Sequence, residues 1–273
     1  MIRIEGVSFG YRTGEYVLRR LDLTFADGEF AAIIGNNGSG KSTLMKLILG
    51  LQKPTVGRVL VDGVDTRTAR VSTLARKVGF VFQNPNDQLF ARTVAEEIAF
   101  GLRNAGLSPA EVEARVEATL ARFDLVGVRD VFPRFLSRGD RQKVCIAGVL
   151  ATQPGTLLLD EPTTGQDHRD ARAILDLARR LNAEGVTVLL VTHDLINVAE
   201  YAGRVLLLKD GVVVRDGPTA EVMADLPLLA SCSLVAPQVV RLSLGLADLG
   251  VPVALSVADL AASLERRLAP EAR

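Results

Sequence analysis

Apolar and polar positions alternate with two different periods along this chain, and the changes of period divide it into stretches. In the first third the runs are short and β-like. Ile2 and Ile4 alternate with Arg3 and Glu5, Val17 to Phe25 alternates, and Phe30 to Ile34 is continuously apolar. Gly57 to Val61 and Val78 to Phe82 follow as further strands. Continuous apolar runs predict strands buried on both faces of a parallel sheet. From about Thr93 to Thr152 the period becomes helical. There Ser108-Pro109-Ala110-Glu111 supplies a capping residue, proline at the first helical position and the acid of a capping box. Val112, Val116, Leu120 and Phe123 then line one face.

Strand–helix alternation returns with Thr156 to Leu159, Arg169 to Leu181, Thr187 to Val191 and Leu195 to Tyr201. Val205 to Leu208 and Val212 to Val214 flank Asp210-Gly211 and predict a hairpin. This order predicts an α/β fold with a parallel core. Asp216-Gly217-Pro218 marks the clearest boundary. Beyond it, Pro237, Val239, Leu242, Leu246 and Leu249 predict one amphipathic helix ending at Gly250. Val257, Leu260, Leu264 and Leu268 predict a second, opened by Ser256. Two helices cannot bury both stripes alone, so the tail is expected to dock on the main domain or on a partner.

Composition narrows the class. With 48% hydrophobic and 23% charged residues, the composition argues against disorder. The 32 Lys+Arg against 32 Asp+Glu argue against a free-standing nucleic-acid binder, and no nucleic-acid partner is expected. No run approaches the ~18 apolar residues of a membrane span. The N-terminus has strand character and no signal-peptide core. Cys145 and Cys232 lie in apolar surroundings, as buried free thiols of a cytosolic protein do.

The chemistry is concentrated in two places. Gly35-Asn36-Asn37-Gly38-Ser39-Gly40-Lys41-Ser42, followed by Thr43, fits G-x-x-x-x-G-K-[ST] between a strand and a helix. Such a loop turns backbone N–H groups around phosphates at a helix N-terminus. Lys41 reaches the β- and γ-phosphates, and the Ser42 hydroxyl ligates Mg²⁺. Thr156 to Glu161 supplies the second place: a strand ending in Asp160, suited to hold Mg²⁺, and Glu161, suited to polarise a water for attack on the γ-phosphate. The bland alternative for these acids is an N-terminal helix bias ahead of Pro162.

With those motifs placed, residues 1–218 resemble the ATPase subunit of ABC transporters. The resemblance implies an α/β, P-loop NTPase core of that type, with a β-rich N-terminal subdomain and a helical subdomain at about 86–152. Residues 219–273 would form a small C-terminal helical extension. Gln83 stands where the family has its Q-loop glutamine, a sensor of γ-phosphate and Mg²⁺. Leu136-Ser137-Arg138-Gly139-Asp140 stands at the LSGGQ signature, Thr164-Gly165-Gln166-Asp167 looks like the D-loop, and His193 like the switch histidine. Tyr11 matches the aromatic residue that stacks on adenine. Residues 82–90, Phe-Gln-Asn-Pro-Asn-Asp-Gln-Leu-Phe, are similar to the extended Q-loop of energy-coupling-factor transporters, which import vitamins and cobalt or nickel ions.

The resemblance therefore implies ATP and Mg²⁺ as ligands, with Glu161, His193, Gln83 and Lys41 in catalysis. Asp167 is carried over with the nucleotide site, and Ser137 and Gly139 act in trans on the nucleotide of a second ATPase subunit, a copy or a paralogue. It implies further partners, a membrane-embedded coupling subunit and a substrate-binding membrane subunit, and a peripheral place on the cytoplasmic face of the membrane. Alternatives are a soluble ATPase of the same family without transport, and an ATP-binding regulatory module. The signature departs from the pattern at Arg138 and Asp140. Arg138 can offset the Asp140 charge, or Ser137 to Asp140 forms a capping box. Either way an asymmetric pair of sites is expected.

Overall fold

The computed structural model describes residues 1–268. Six strands form the central sheet: β3 (Phe30–Gly35), β6 (Val78–Val81), β7 (Thr156–Asp160), β8 (Thr187–Val191), β9 (Arg204–Lys209) and β10 (Val212–Pro218). Their order is β10-β9-β3-β8-β7-β6. All neighbours are parallel except β10, which returns antiparallel to β9 in the expected hairpin. The apolar runs do what continuous patterning requires. Ala31 and Ile33 of β3 enter one core cluster, while Ala32 and Ile34 enter the other.

A second sheet, β2 (Leu18–Phe25), β1 (Ile2–Phe9), β4 (Val56–Val61) and β5 (Val64–Asp65), is antiparallel throughout. Its inward residues Ile4, Val7, Phe25 and Val59 share a cluster with Leu44, Leu47 and Ile48 of α1 (Lys41–Ile48) and with Leu158 and Leu189. The short α2 (Val71–Leu74) adds Leu74 to this layer. Each such fully buried aliphatic side chain contributes about 1.5–3 kcal/mol relative to exposure.

The opposite face is covered by α3 (Val94–Asn104), α4 (Pro109–Arg122), α5 (Arg138–Leu150), α6 (His168–Ala183) and α7 (Leu195–Tyr201), which feed the larger cluster. Val112, Val116, Leu120 and Phe123 are all buried there, as the periodicity predicts. The capping box is complete: Ser108 accepts from the Glu111 N–H, and Glu111 accepts from the Ser108 N–H at 2.8 Å. Both cysteines are free and buried, and burial pushes the Cys145 thiol up.

The tail differs from the two helices expected. It contains α8 (Thr219–Ala224), α9 (Leu226–Ser231), α10 (Gln238–Gly245) and α11 (Val257–Leu268). The Pro237 helix stops at Gly245 rather than Gly250, and a 3₁₀ turn, Ala247–Leu249, takes up the remainder. Gly245 is a poor helix former, and Gly250, at φ +72°, closes the turn in the left-handed region. The first half of the tail is anchored, with Val222, Met223, Leu229, Cys232 and Val240 joining the larger cluster. Val251, Ala254 and Leu260 form a small cluster of their own, with Val239 and Leu264 against it. Residues 269–273, and the side chain of Leu268 expected on the last stripe, lie outside the described residues. Among the described residues, no helix is long and apolar enough to cross a membrane.

Candidate active site

β3 runs straight into the glycine-rich loop, so the parallel sheet delivers that loop to one end of its strands. Gly35 has φ +150°, and a Cβ there would run into the Leu208 carbonyl of β9 and into Ser39 Oγ. Only glycine permits this approach. The Ser39 N–H donates to the Asn36 carbonyl at 3.1 Å, closing the loop. α1 begins after Gly40 with no side-chain cap, leaving first-turn N–H groups open to an anion. Lys41 Nζ donates to the carbonyls of Gly35 (2.7 Å) and Asn36 (3.0 Å), folding the ammonium back over its own loop. Burial lowers the Lys41 pKa, against the opposing pull of Glu161 and Asp160.

The acids arrive from the neighbouring strands. β7 and β8 pair with Asp160 opposite Val191, and the Glu161 N–H donates to the Val191 carbonyl at 2.8 Å. Burial raises Asp160 to about 6, reinforced by Glu161 and opposed by Lys41. Glu161 has φ +46°, an unusual conformation for a side-chain-bearing residue that the surrounding contacts must hold. Its Oε1 lies 2.7 Å from His193 Nδ1. Its Oε2 accepts from Thr164 Oγ1 (3.2 Å) and Thr192 Oγ1 (3.4 Å). Glu161 is largely covered while His193 is two-thirds exposed, so the pair spans the wall of the site.

These groups share one cavity of about 380 Å³, lined by Asn37, Gly38, Gly40, Lys41, Ser42, Thr43, Gln83, Asp160, Glu161, His193 and Val17. Gly35, Asn36 and Asn37 line an adjoining recess with His193. Tyr11 stands at the rim, exposed, its hydroxyl 3.4 Å from Thr43 Oγ1 and its ring edge-to-face with Phe9. Nothing local in the chain marks Val17 or Thr192 for this site; their part depends on which loops the sheet order makes neighbours. Thr164, expected only within the D-loop, meets Glu161 three positions earlier in the same turn.

Ser137, Gly139 and Asp167 line neither recess. Asp167 caps α6, accepting from the Asp170 N–H at 2.8 Å. Ser137 caps α5, accepting from the Asp140 N–H at 3.1 Å. The expected reciprocal box is corrected in one detail: the Asp140 carboxylate accepts from the Ser137 hydroxyl (2.8 Å) rather than from its backbone N–H. The shorter aspartate reaches the side chain, whereas Glu111 reaches the backbone in α4. Nor does Arg138 neutralise Asp140, since the ion pair is with Lys143 at 3.3 Å.

The residues fit a phosphate ligand and a divalent cation. Ser39 Oγ is buried with no hydrogen-bond partner among the described residues, at the loop that would hold the phosphates. The raised Asp160 is a carboxylate that a cation would return to its charged form. Among the described residues there is no cluster of three or more His, Cys, Asp or Glu that could hold a metal unaided. Ser42, Gln83 and Asp160 would supply the protein's share, with phosphate and water oxygens the rest, as Mg²⁺ prefers.

Comparison with known proteins agrees with this geometry. Residues 18–164 match the family model described as ABC transporter. The chain is 39% identical over 263 residues to the energy-coupling factor transporter ATP-binding protein EcfA of Methanothermobacter thermautotrophicus, covering 95% of this chain and 85% of that one. It is 41% identical over 268 residues to an ABC transporter ATP-binding protein, so named, of Methanosarcina acetivorans. That match covers 97% of this chain but spans only 44% of the relative's length. Among solved structures, cbiO1 from Clostridium perfringens, part of the ABC transporter complex cbiONQ, superimposes with a TM-score of 0.77 at 34% identity. It covers 84% of this chain and 93% of that one. The dimeric ATP-binding cassette MJ0796, in a post-hydrolysis state bound to ADP and Pi, gives 0.71 at 35% identity, covering 80% and 99%.

Proposed function

Because the chain belongs to the ABC transporter family, we propose that it hydrolyses ATP to ADP and phosphate and couples that reaction to transport across a membrane. The observation that carries this reading is the Glu161–His193 contact of 2.7 Å inside the cavity that holds Lys41 and Gln83. Glu161 accepts a proton from the attacking water. His193 and the two threonine hydroxyls hold the carboxylate in place for that transfer. The loop N–H groups and Lys41 bind and orient the phosphates, where negative charge accumulates. Ser42, Gln83 and Asp160 would hold Mg²⁺, and when bound it would supply neutralisation of the phosphate charge.

The finer reading is an energy-coupling-factor importer of a vitamin or transition-metal ion. The 82–90 segment and the likeness to EcfA and cbiO1 support it. In this reading the membrane-embedded coupling subunit sits in an apolar groove of about 340 Å³ lined by Leu51, Val71, Phe80, Phe90 and Phe100. The chain pairs with a second ATPase subunit and is peripheral on the cytoplasmic face. The Methanosarcina relative, of which this chain spans 44%, is long enough for two such units.

Glu161→Gln should retain ATP binding while turnover falls by at least ~10²-fold, the usual share of a general base. Persistence of most phosphate release in that variant would refute the assignment. Purification from membranes, with identification of the associated subunits, tests the transporter reading. Recovery of the chain without a membrane protein would favour a soluble ATPase.

A further inference from the structure

Arg138 begins α5, yet its side chain turns away from the helix that Ser137 and Asp140 cap. The position that a Cβ on Gly165 would take lies 3.1 Å from Arg138 Cζ, 3.1 Å from Nη1 and 3.3 Å from Nη2. Three nearly equal distances place the face of the guanidinium, rather than an edge, over Gly165. Asp140 is already matched by Lys143 and by the Ser137 hydroxyl. The Arg138 Nε is buried with no hydrogen-bond partner among the described residues. Leaving a donor of a cation unpaired is unfavourable, so packing must hold this side chain where it is.

What lies beneath it leads directly to the proposed base. Gly165 has φ +72° and follows Thr164, whose hydroxyl donates to Glu161 Oε2 at 3.2 Å. The Thr164 N–H donates to the Glu161 carbonyl (3.2 Å), and the Gln166 N–H to the Thr163 carbonyl (3.1 Å). Gln166 Nε2 donates to the Pro162 carbonyl at 3.3 Å. Residues 161–166 are thus one hydrogen-bonded turn with Glu161 at its start and the guanidinium on its outer side.

We propose that Arg138 is a positioning residue for Glu161: stacked on Gly165, it fixes the turn so that Thr164 keeps the carboxylate aimed into the cavity. The proposal rests on the hydrolysis reading above. It links the start of α5 to the hydrolytic site of the same chain. Arginine suits the task because its planar group can lie on a backbone, which a lysine ammonium cannot do.

The test uses the protein with whatever ATPase and membrane subunits co-purify with it. Turnover, KM for ATP and melting midpoint are measured for wild type, Arg138→Ala, Arg138→Lys, Thr164→Val and the Arg138→Ala/Thr164→Val double variant. Arg138→Ala is expected to lower kcat on the order of tenfold, as small misplacements of a reacting group do. KM and the melting midpoint should stay near wild type. Arg138→Lys should not restore kcat. The double variant should be no slower than the slower single one, because both act through one contact. Wild-type kcat in Arg138→Ala, full rescue by lysine, multiplying losses in the double variant, or a loss that follows a collapse in melting midpoint would each overturn the proposal. Wild-type protein without ATP turnover would instead overturn the hydrolysis reading on which it rests.

Discussion

Glu161 shows how much one side chain depends on its neighbours. Its backbone is held by Val191 and its carboxylate by His193, Thr164 and Thr192, three residues from two loops that follow adjacent strands. Asp160, one position earlier, carries a different signature. Its folded value of about 6 lies above the ordinary 3.8, so between those values the folded chain binds the proton more tightly than the unfolded one. Stability of the ligand-free protein therefore falls through this group as pH rises from about 4 to about 6 and stays reduced above that. Asp160→Asn is expected to raise the melting midpoint of nucleotide-free protein near neutral pH and to change it little near pH 4, while abolishing ATP turnover. Thermal scans across pH, without Mg²⁺ or nucleotide, check the sign. The identity of both acids was legible in the sequence because an apolar strand ending in paired carboxylates is a local pattern. Thr192 was not, because nothing local marks a hydroxyl that will meet a carboxylate 31 positions away. Thr164, three positions from Glu161, was expected only as part of the D-loop, without this contact.

At the scale of elements, local signals worked where helices begin and failed at the end of the Pro237 helix. The Ser108 capping box forms as spelled, and Ser108→Ala should cost about 1 kcal/mol in urea unfolding. Ser137 gives only half of the same device, since aspartate is one methylene too short to reach the backbone in the same way. α5 also contacts the 82–90 segment. Arg141 Nη1 donates to Asn86 Oδ1 at 2.8 Å, and Gln142 Nε2 to the Phe82 carbonyl at 3.4 Å. In the same segment Phe90 is 61% exposed and edge-to-face with Phe100, also exposed, at 4.6 Å. Exposed paired aromatics beside an apolar groove favour a protein partner. Phe90→Asp is expected to strip the membrane subunit from the complex in co-purification while ATP binding persists. The Pro237 helix ran short of its expected end at Gly250 because Gly245 interrupts a stripe that periodicity alone would continue, whereas the last helix, Val257–Leu268, spans what was expected.

For the molecule as a whole, the tail packs on the larger core cluster, through Val222 to Leu244 and again at Val253 and Leu255, and leaves other apolar side chains outside. Leu242, Leu249 and Val257 are 55%, 64% and 76% exposed. Their replacement by serine together is expected to weaken self-association or pairing with a second ATPase subunit, read by light scattering, without lowering the melting midpoint by more than a few degrees. The glycine-rich loop, the strand-end acids and the buried strands were determined by the sequence itself. Each is a contiguous pattern whose physics acts over a few residues: glycine where backbone must crowd, apolar runs where both faces are covered. The tertiary structure alone decided the sheet order β10-β9-β3-β8-β7-β6, which sets the Glu161 loop beside the His193 loop. It also decided the Thr192 contact, the turn of Arg138 onto Gly165, and which apolar side chains of the tail are buried. Those outcomes depend on packing between segments far apart in the chain, where the free energy belongs to the assembled pair and neither sequence segment carries it alone.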